Sequence, residues 1–314
     1  MGTPQLRPLG IGEILDVSLK IAWRNAGTLV RIVLFVVAPA QALVALVEVS
    51  ANPDFSPGDS LFGSPFDTAE TTDSARWTAV AGFLVATVLG FVASQLATGA
   101  CFKAVAQAYL GEKPRWRESL GFALRRFHSI LWIVMLGGFL TVLGLVLLVI
   151  PGIYLAVAFA VALPVLMTEG LRGRTALGRS RHLVKGRWWK TLLLLVVAGL
   201  LASIVGGVIS GALTGVIVAT PDDPVLVFLI SALAATAGAL VTTPFSAAYH
   251  TVLYFDLRVR KEAFDLQLLA QSVGVEPPDG WLPPVPPDRP PVGEGEDPPF
   301  WPPPPDWRPR SGSD

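Results

Sequence analysis

The stretch Val149–Lys190, VIPGIYLAVAFAVALPVLMTEGLRGRTALGRSRHLVKGRWWK, decides the fold. It opens on a Pro-Gly pair, which favours a tight turn. Sixteen residues, Ile153–Thr168, then pass without a charge. Seven Lys/Arg residues follow between Arg172 and Lys190, with no acid among them. A turn, an apolar helix and a basic block in this order predict a membrane segment that ends on the cytoplasmic side. The apolar run begins earlier, at Ile130, after another basic block at 111–128. Ile130–Thr168 is too long for one span, so it reads as a hairpin with two crossings and both ends inside.

Composition agrees with this reading. Of 314 residues, 52% are hydrophobic and only 15% charged, and mean hydropathy is +0.56. A soluble domain carries about 25% charged residues. The charges that remain are confined to short blocks between long apolar runs. Net charge is zero, so no global field points to nucleic acid. The single cysteine, Cys101, forbids an internal disulfide.

Outward from the deciding stretch, the same grammar repeats. Residues 11–25, IGEILDVSLKIAWRN, form an amphipathic pattern too polar to span, and are expected to lie in the interface. Leu29–Val49 is the first span. The loop at 50–76 carries Asp54, Asp59, Asp67, Glu70 and Asp73 against Arg76 alone, which places it outside. Trp77–Ala100 returns inside, to a basic stretch with Lys113, Arg115, Arg117, Arg125 and Arg126 and an apolar stripe of Trp116, Leu120, Ala123 and Phe127. After Lys190 come two more spans joined by the short acidic turn Thr-Pro-Asp-Asp-Pro at 220–224.

The expected organisation is all-α. An interfacial segment occupies 1–28. A six-helix membrane domain occupies 29–272, with spans at about 29–49, 77–100, 130–150, 153–169, 191–219 and 225–249. A disordered tail occupies 273–314. Fifteen of the 27 prolines lie within 277–309, a composition that buries too little surface to offset its ordering entropy. Both termini are expected on the cytoplasmic side of the bacterial inner membrane. The aligned cores LDVSLKIAWRN, LGFALRRFHS and LGRSRHLVKGRWW suggest a threefold repeat of interfacial helix plus hairpin; chance similarity is the other reading.

Four segments together carry a family likeness: RPLGIGEILD (7–16), PGIYLAVAFAVALPVLMTEG (151–170), ALGRSRHLVKGRWWK (176–190) and LYFDLRVRKEAFDLQLLA (253–270). Over about residues 6–270 the chain resembles the membrane domain of glycerophosphoryl diester phosphodiesterases and the stand-alone bacterial proteins of that family. The resemblance implies the fold and the membrane location. It does not carry over the catalysis: the family's enzymes append a barrel with a His-Arg-Gly motif, and neither the motif nor room for the barrel follows residue 273. Ala158 also stands where an arginine is common in the family.

No constellation of reactive side chains stands out. His128, His182 and His250 have no ligand-type neighbour at metal-binding spacing, and no cofactor is expected. Lys103 is expected to snorkel to the inner headgroups. Glu169 should pair with Arg172 or another arginine nearby. Two sets of residues invite a role. Arg179, Arg181, Lys185 and Arg187 are candidate contacts for anionic lipid. Ser203, Gly207, Gly211 and Gly215, four apart, form a small-residue stripe of the kind that lets membrane helices approach. It is expected to face Ser231, Ala235 and Ala239 of the next span, with a homodimer face as the second reading. A similar stripe, Gly82, Ala86, Gly90, Ser94 and Thr98, lies on the second span. The expected function is that of a non-enzymatic membrane scaffold, assembly or regulatory factor. The alternative is a lipid-handling or uncoupled transport protein. Expected partners are membrane lipids, a cytoplasmic protein at the tail and a second copy.

Overall fold

A computed structural model of the chain describes residues 9–51, 73–218 and 224–263. The chain divides into two units, Met1–Asp265 and Leu266–Asp314. The second unit, which contains the whole of the expected tail, lies outside the described residues, as do most of the acidic loop at 50–76 and the turn at 219–223.

The described residues are helical, with no strand among them. The elements are α1 (Ile11–Arg24), α2 (Ala26–Ala51), α3 (Asp73–Tyr109), α4 (Trp116–Arg125), α5 (Phe127–Leu147), α6 (Val149–Ala158), α7 (Ala162–Glu169), α8 (Arg174–Val184), α9 (Trp188–Val218) and α10 (Pro224–Glu262). Six segments are long and apolar enough to cross a membrane: Ala26–Val47, Val80–Tyr109, Phe127–Leu147, Val149–Glu169, Trp188–Gly215 and Leu229–Glu262. This is an all-α, multi-pass membrane protein.

Local sequence explains the ends. The Glu13 carboxylate accepts from the Gly10 N–H at 2.8 Å and closes the first turn of α1. At the other extreme, α7 stops at Gly170, whose φ of 73° suits glycine and ends the helix in a left-handed cap. The fourth expected span is in fact broken. Phe159–Val161 leave the helical path between α6 and α7.

The core gathers at one end of the molecule. Thr251 through Val259 of α10 are buried on every face. This last part of α10 is a central post, and α1, α2, α3, α7, α8 and α9 all pack on α10. Tyr109 of α3 stacks on Phe255 at 4.8 Å, and Phe102 meets His250 edge-on at 6.1 Å. Gly99 of α3 lies between Ile130 of α5 and Met167 of α7, joining those helices to the post's neighbour. The α5–α6 hairpin stands apart: its legs pack chiefly on each other.

The threefold pattern is present, in a corrected register. Ser18, Ser119 and Ser180 are fully buried in α1, α4 and α8. The membrane helix that follows starts eight residues later each time, at Ala26, Phe127 and Trp188. Leu15, Trp116 and Leu177 therefore correspond, so the second core slides by four residues relative to an alignment on Leu120. Buried serine, not leucine, marks the equivalent position. The first repeat closes on the last, because α1 docks on α10.

Candidate functional site

Among the described residues, many polar side chains converge around the last turns of α10. α10 supplies Tyr254, Asp256, Arg258, Arg260 and Glu262 over two turns. Helical spacing puts Tyr254, Arg258 and Glu262 on one side and Asp256 and Arg260 on another.

On the first side, Glu169 at the end of α7 accepts from Arg179 Nε at 2.9 Å and from the Tyr254 hydroxyl at 2.7 Å. Arg179 also donates to Glu262 at 2.9 Å, and Arg258 donates to Glu262 at 3.2 Å and to the Tyr254 oxygen at 3.3 Å. Arg179 and Glu169 are only 18% and 16% exposed. Burial alone would lower the Arg179 pKa, but its hydrogen bonds to Glu262 and Glu169 hold it above its ordinary value. Two cations face two carboxylates, so the cluster is balanced. Lys261 donates to the His182 carbonyl and fastens the same two helices.

On the second side, the wholly buried Asp256 accepts from the Leu9 N–H at 2.7 Å. Lys190 and Arg260 each donate to the Leu9 carbonyl at 2.7 Å, and both also pair with Asp256. The peptide preceding α1 is thus held by three charged side chains from α9 and α10.

The amphipathic helices α4 and α8 turn their polar faces outward. Arg174, Arg181, Lys185 and Arg187 around α8, and Arg115, Arg117 and Arg125 around α4, are exposed. Among the described residues, none of them forms an ion pair. The indoles of Trp23 and Trp189 are also exposed, the latter two residues after Arg187. Lys103 places its ammonium 4.9 Å over the Phe122 ring of α4.

Of the four expected lipid contacts, the structure brings three to the surface. Arg179 is a correction: its guanidinium is spent on Glu169 and Glu262, because it faces α10 while Arg181 and Lys185 face away. Glu169 pairs with a nearby arginine as expected, and of those open to it the partner is Arg179 rather than Arg172.

The small-residue stripe on α9 is a second correction. Ser203, Gly207, Gly211 and Gly215 are exposed, and a Cβ on any of the three glycines would touch nothing within 4 Å. The contact with α10 lies one residue back. Ala202 and Gly206 are buried, Gly206 abuts Thr242, and Ser210 abuts Gly238 while donating to the Ala234 carbonyl at 3.1 Å. The facing row on α10 is therefore Ala234, Gly238 and Thr242. The similar stripe on α3 does turn inward: Gly82 and Ala86 are buried, and a Cβ on Gly90 would lie 3.8 Å from Val44 of α2.

Among the described residues, no group of three or more His, Cys, Asp or Glu side chains is arranged to hold a metal ion. Asp256, Tyr254, Arg258 and Glu262 were not singled out by the sequence. Their i, i+4 spacing in YFDLRVRKE was the available signal. Comparison with known proteins finds no matching family model, curated protein or solved structure.

Proposed function

We propose that this integral membrane protein is a non-enzymatic scaffold, an assembly or regulatory factor of the bacterial inner membrane with both termini cytoplasmic. The motifs quoted above support grouping it with the stand-alone members of the phosphodiesterase membrane-domain family. One observation carries the scaffold reading. The inward-facing charges are consumed in fastening α1 and α8 to α10, while the outward-facing cations of α4 and α8 form no ion pair among the described residues. Such a surface suits an anionic partner: the headgroups of the surrounding leaflet, an acidic protein segment, or both.

Replacing Arg181, Lys185 and Arg187 together by Gln tests this. Tagged protein is purified in mild detergent, and co-purifying proteins and lipids are identified. Loss of a specific protein, with melting unchanged, supports the scaffold. An unchanged protein profile from the triple variant overturns it.

A second reading, lipid handling or uncoupled transport, is favoured by the break at Phe159–Val161. Discontinuous membrane helices line substrate paths in transporters. Lipid transfer by the reconstituted protein, absent from empty vesicles, would support it.

A further inference from the structure

The three hairpins of this protein turn in different chemistry. The first turns through an acid-rich stretch at 50–76 and the third through Thr-Pro-Asp-Asp-Pro at 220–224. The second turns through Leu147-Leu148-Val149-Ile150-Pro151-Gly152, and no polar side chain occurs from Val142 to Ile153. Ile150 is 82% and Val146 79% exposed. In water, this tip would present a contiguous apolar patch. We propose that the turn of the α5–α6 hairpin lies among lipid acyl chains, so that the hairpin enters the bilayer from the charged end and returns there without emerging on the far side.

The depth follows from α8. Its polar face is exposed and its apolar face, Ala176, Leu177, Leu183 and Val184, is buried, which places it at the boundary of water and hydrocarbon. Both legs of the hairpin pass α8 about ten residues from the tip. On α5, a Cβ at Gly137 would lie 3.3 Å from Leu177. On α6, the Ala158 carbonyl accepts from Ser180 at 2.7 Å. At about 1.5 Å per residue, Gly137 to Leu147 covers at most about 15 Å, and Ala158 back to Val149 about 14 Å. Granting α8 an immersion of about 5–10 Å, the tip stops about 5–10 Å short of the far edge of a ~30 Å core. The two legs give the same depth independently. A third contact agrees: Trp188, the first residue of α9, donates to the Tyr154 carbonyl at 3.4 Å, five residues from the start of α6.

The length of α5 is used elsewhere. Trp132 lies 3.4 Å from the Cβ position of Gly173, and Gly137 lies against Leu177, so α5 advances beside α8 before leaving it. By contrast α9 begins at the same point of its own repeat and runs for 31 residues, about 46 Å.

A turn in hydrocarbon must satisfy its own backbone. Here the Leu148 N–H bonds the Gly144 carbonyl at 3.0 Å and the Gly152 N–H bonds the Leu148 carbonyl at 3.4 Å. Pro151 brings no N–H. A Cβ on Gly144 would lie 3.0 Å from the Gly152 Cα, so the legs meet backbone to backbone, as small residues allow between membrane helices. The break at Phe159–Val161 then lets the return leg change direction and reach Glu169.

The test uses full-length protein in vesicles with Cys101→Ala as background. Single cysteines are placed by Ile150→Cys and Val146→Cys, with Arg181→Cys and Asp222→Cys marking the two faces. Each variant is checked by melting, and Val146→Cys serves if Ile150→Cys does not fold. Neither tip cysteine should react with an impermeant maleimide from either side, and both should react after denaturation. A bimane on either should be quenched more by a mid-chain nitroxide lipid than by a headgroup nitroxide lipid. Labelling from the face that labels Asp222→Cys, or stronger quenching by the headgroup probe, overturns the proposal.

Discussion

The α9–α10 hairpin and the α5–α6 hairpin are both built from apolar helices, yet they hold together by different means. The first is closed along its length by a glycine seam and locked at its base by charge. Gly206 and Gly238 let the helices touch, and Lys190, Asp256 and Arg260 bind the base to the Leu9 peptide. The second meets at a single glycine pair near its tip and leans on α8. The lesson is that an apolar helical hairpin can serve either as a pillar or as an appendage. What separates the two here is that α10 carries polar groups at the base that bond to other helices, while the α5–α6 legs carry few.

The largest effect should come from the charged base that both hairpins share through α8. Arg179→Ala would remove the closer of the two guanidinium groups that Glu169 and Glu262 share and leave both carboxylates to Arg258. Removing one member of a buried ion cluster costs about 3 kcal/mol or more. The melting temperature of the detergent-solubilised protein should fall further than for any other single change considered, and an unchanged value would show that α8 is held by packing alone.

Next come the glycines of the two hairpins. Gly206→Leu would drive a side chain into Thr242, and overpacking of this kind costs about 1–3 kcal/mol. Gly152→Leu meets the backbone of Leu145 at 2.5 Å, an equally close contact. Its hairpin packs mainly on itself, so the melting temperature should fall less than for Gly206→Leu. Equal losses would erase the distinction between pillar and appendage.

The outward stripe should be far more tolerant. Gly211→Ile enters open space, so melting should move by no more than about 0.5 kcal/mol equivalent. If a cross-linkable dimer disappears while melting holds, the stripe is a contact with a second copy.

The smallest effect on stability belongs to Arg181, Lys185 and Arg187. Changed together to Gln, they should leave melting unaltered and reduce co-purified anionic lipid. Each cation near such a surface is worth about 1 kcal/mol at low salt, fading within a Debye length. Lipid retention that ignores ionic strength would argue against the electrostatic account.

Much of the site was half-legible. The basic block after Glu169 announced an ionic contact, but not which arginine makes it. Arg172 is nearest in the chain, whereas Arg179 is nearest in space, because α8 turns back over the end of α10. The Leu9 peptide gave no signal at all. Its partners are side chains some 180 to 250 residues away, and a backbone acceptor carries no sequence mark.

Hydropathy and charge along the chain determined that this is an all-α membrane protein with six apolar segments and basic blocks between them. Those properties add up residue by residue, and no neighbour can reverse them. Tertiary structure alone decided which face of α9 meets α10, which arginine is buried and how far the second hairpin reaches. Gly206 and Gly207 differ by one position, yet about 100° of rotation separates them around the helix. One closes the hairpin seam and the other faces outward. That choice depends on side chains contributed by another helix, so no reading of α9 by itself contains it.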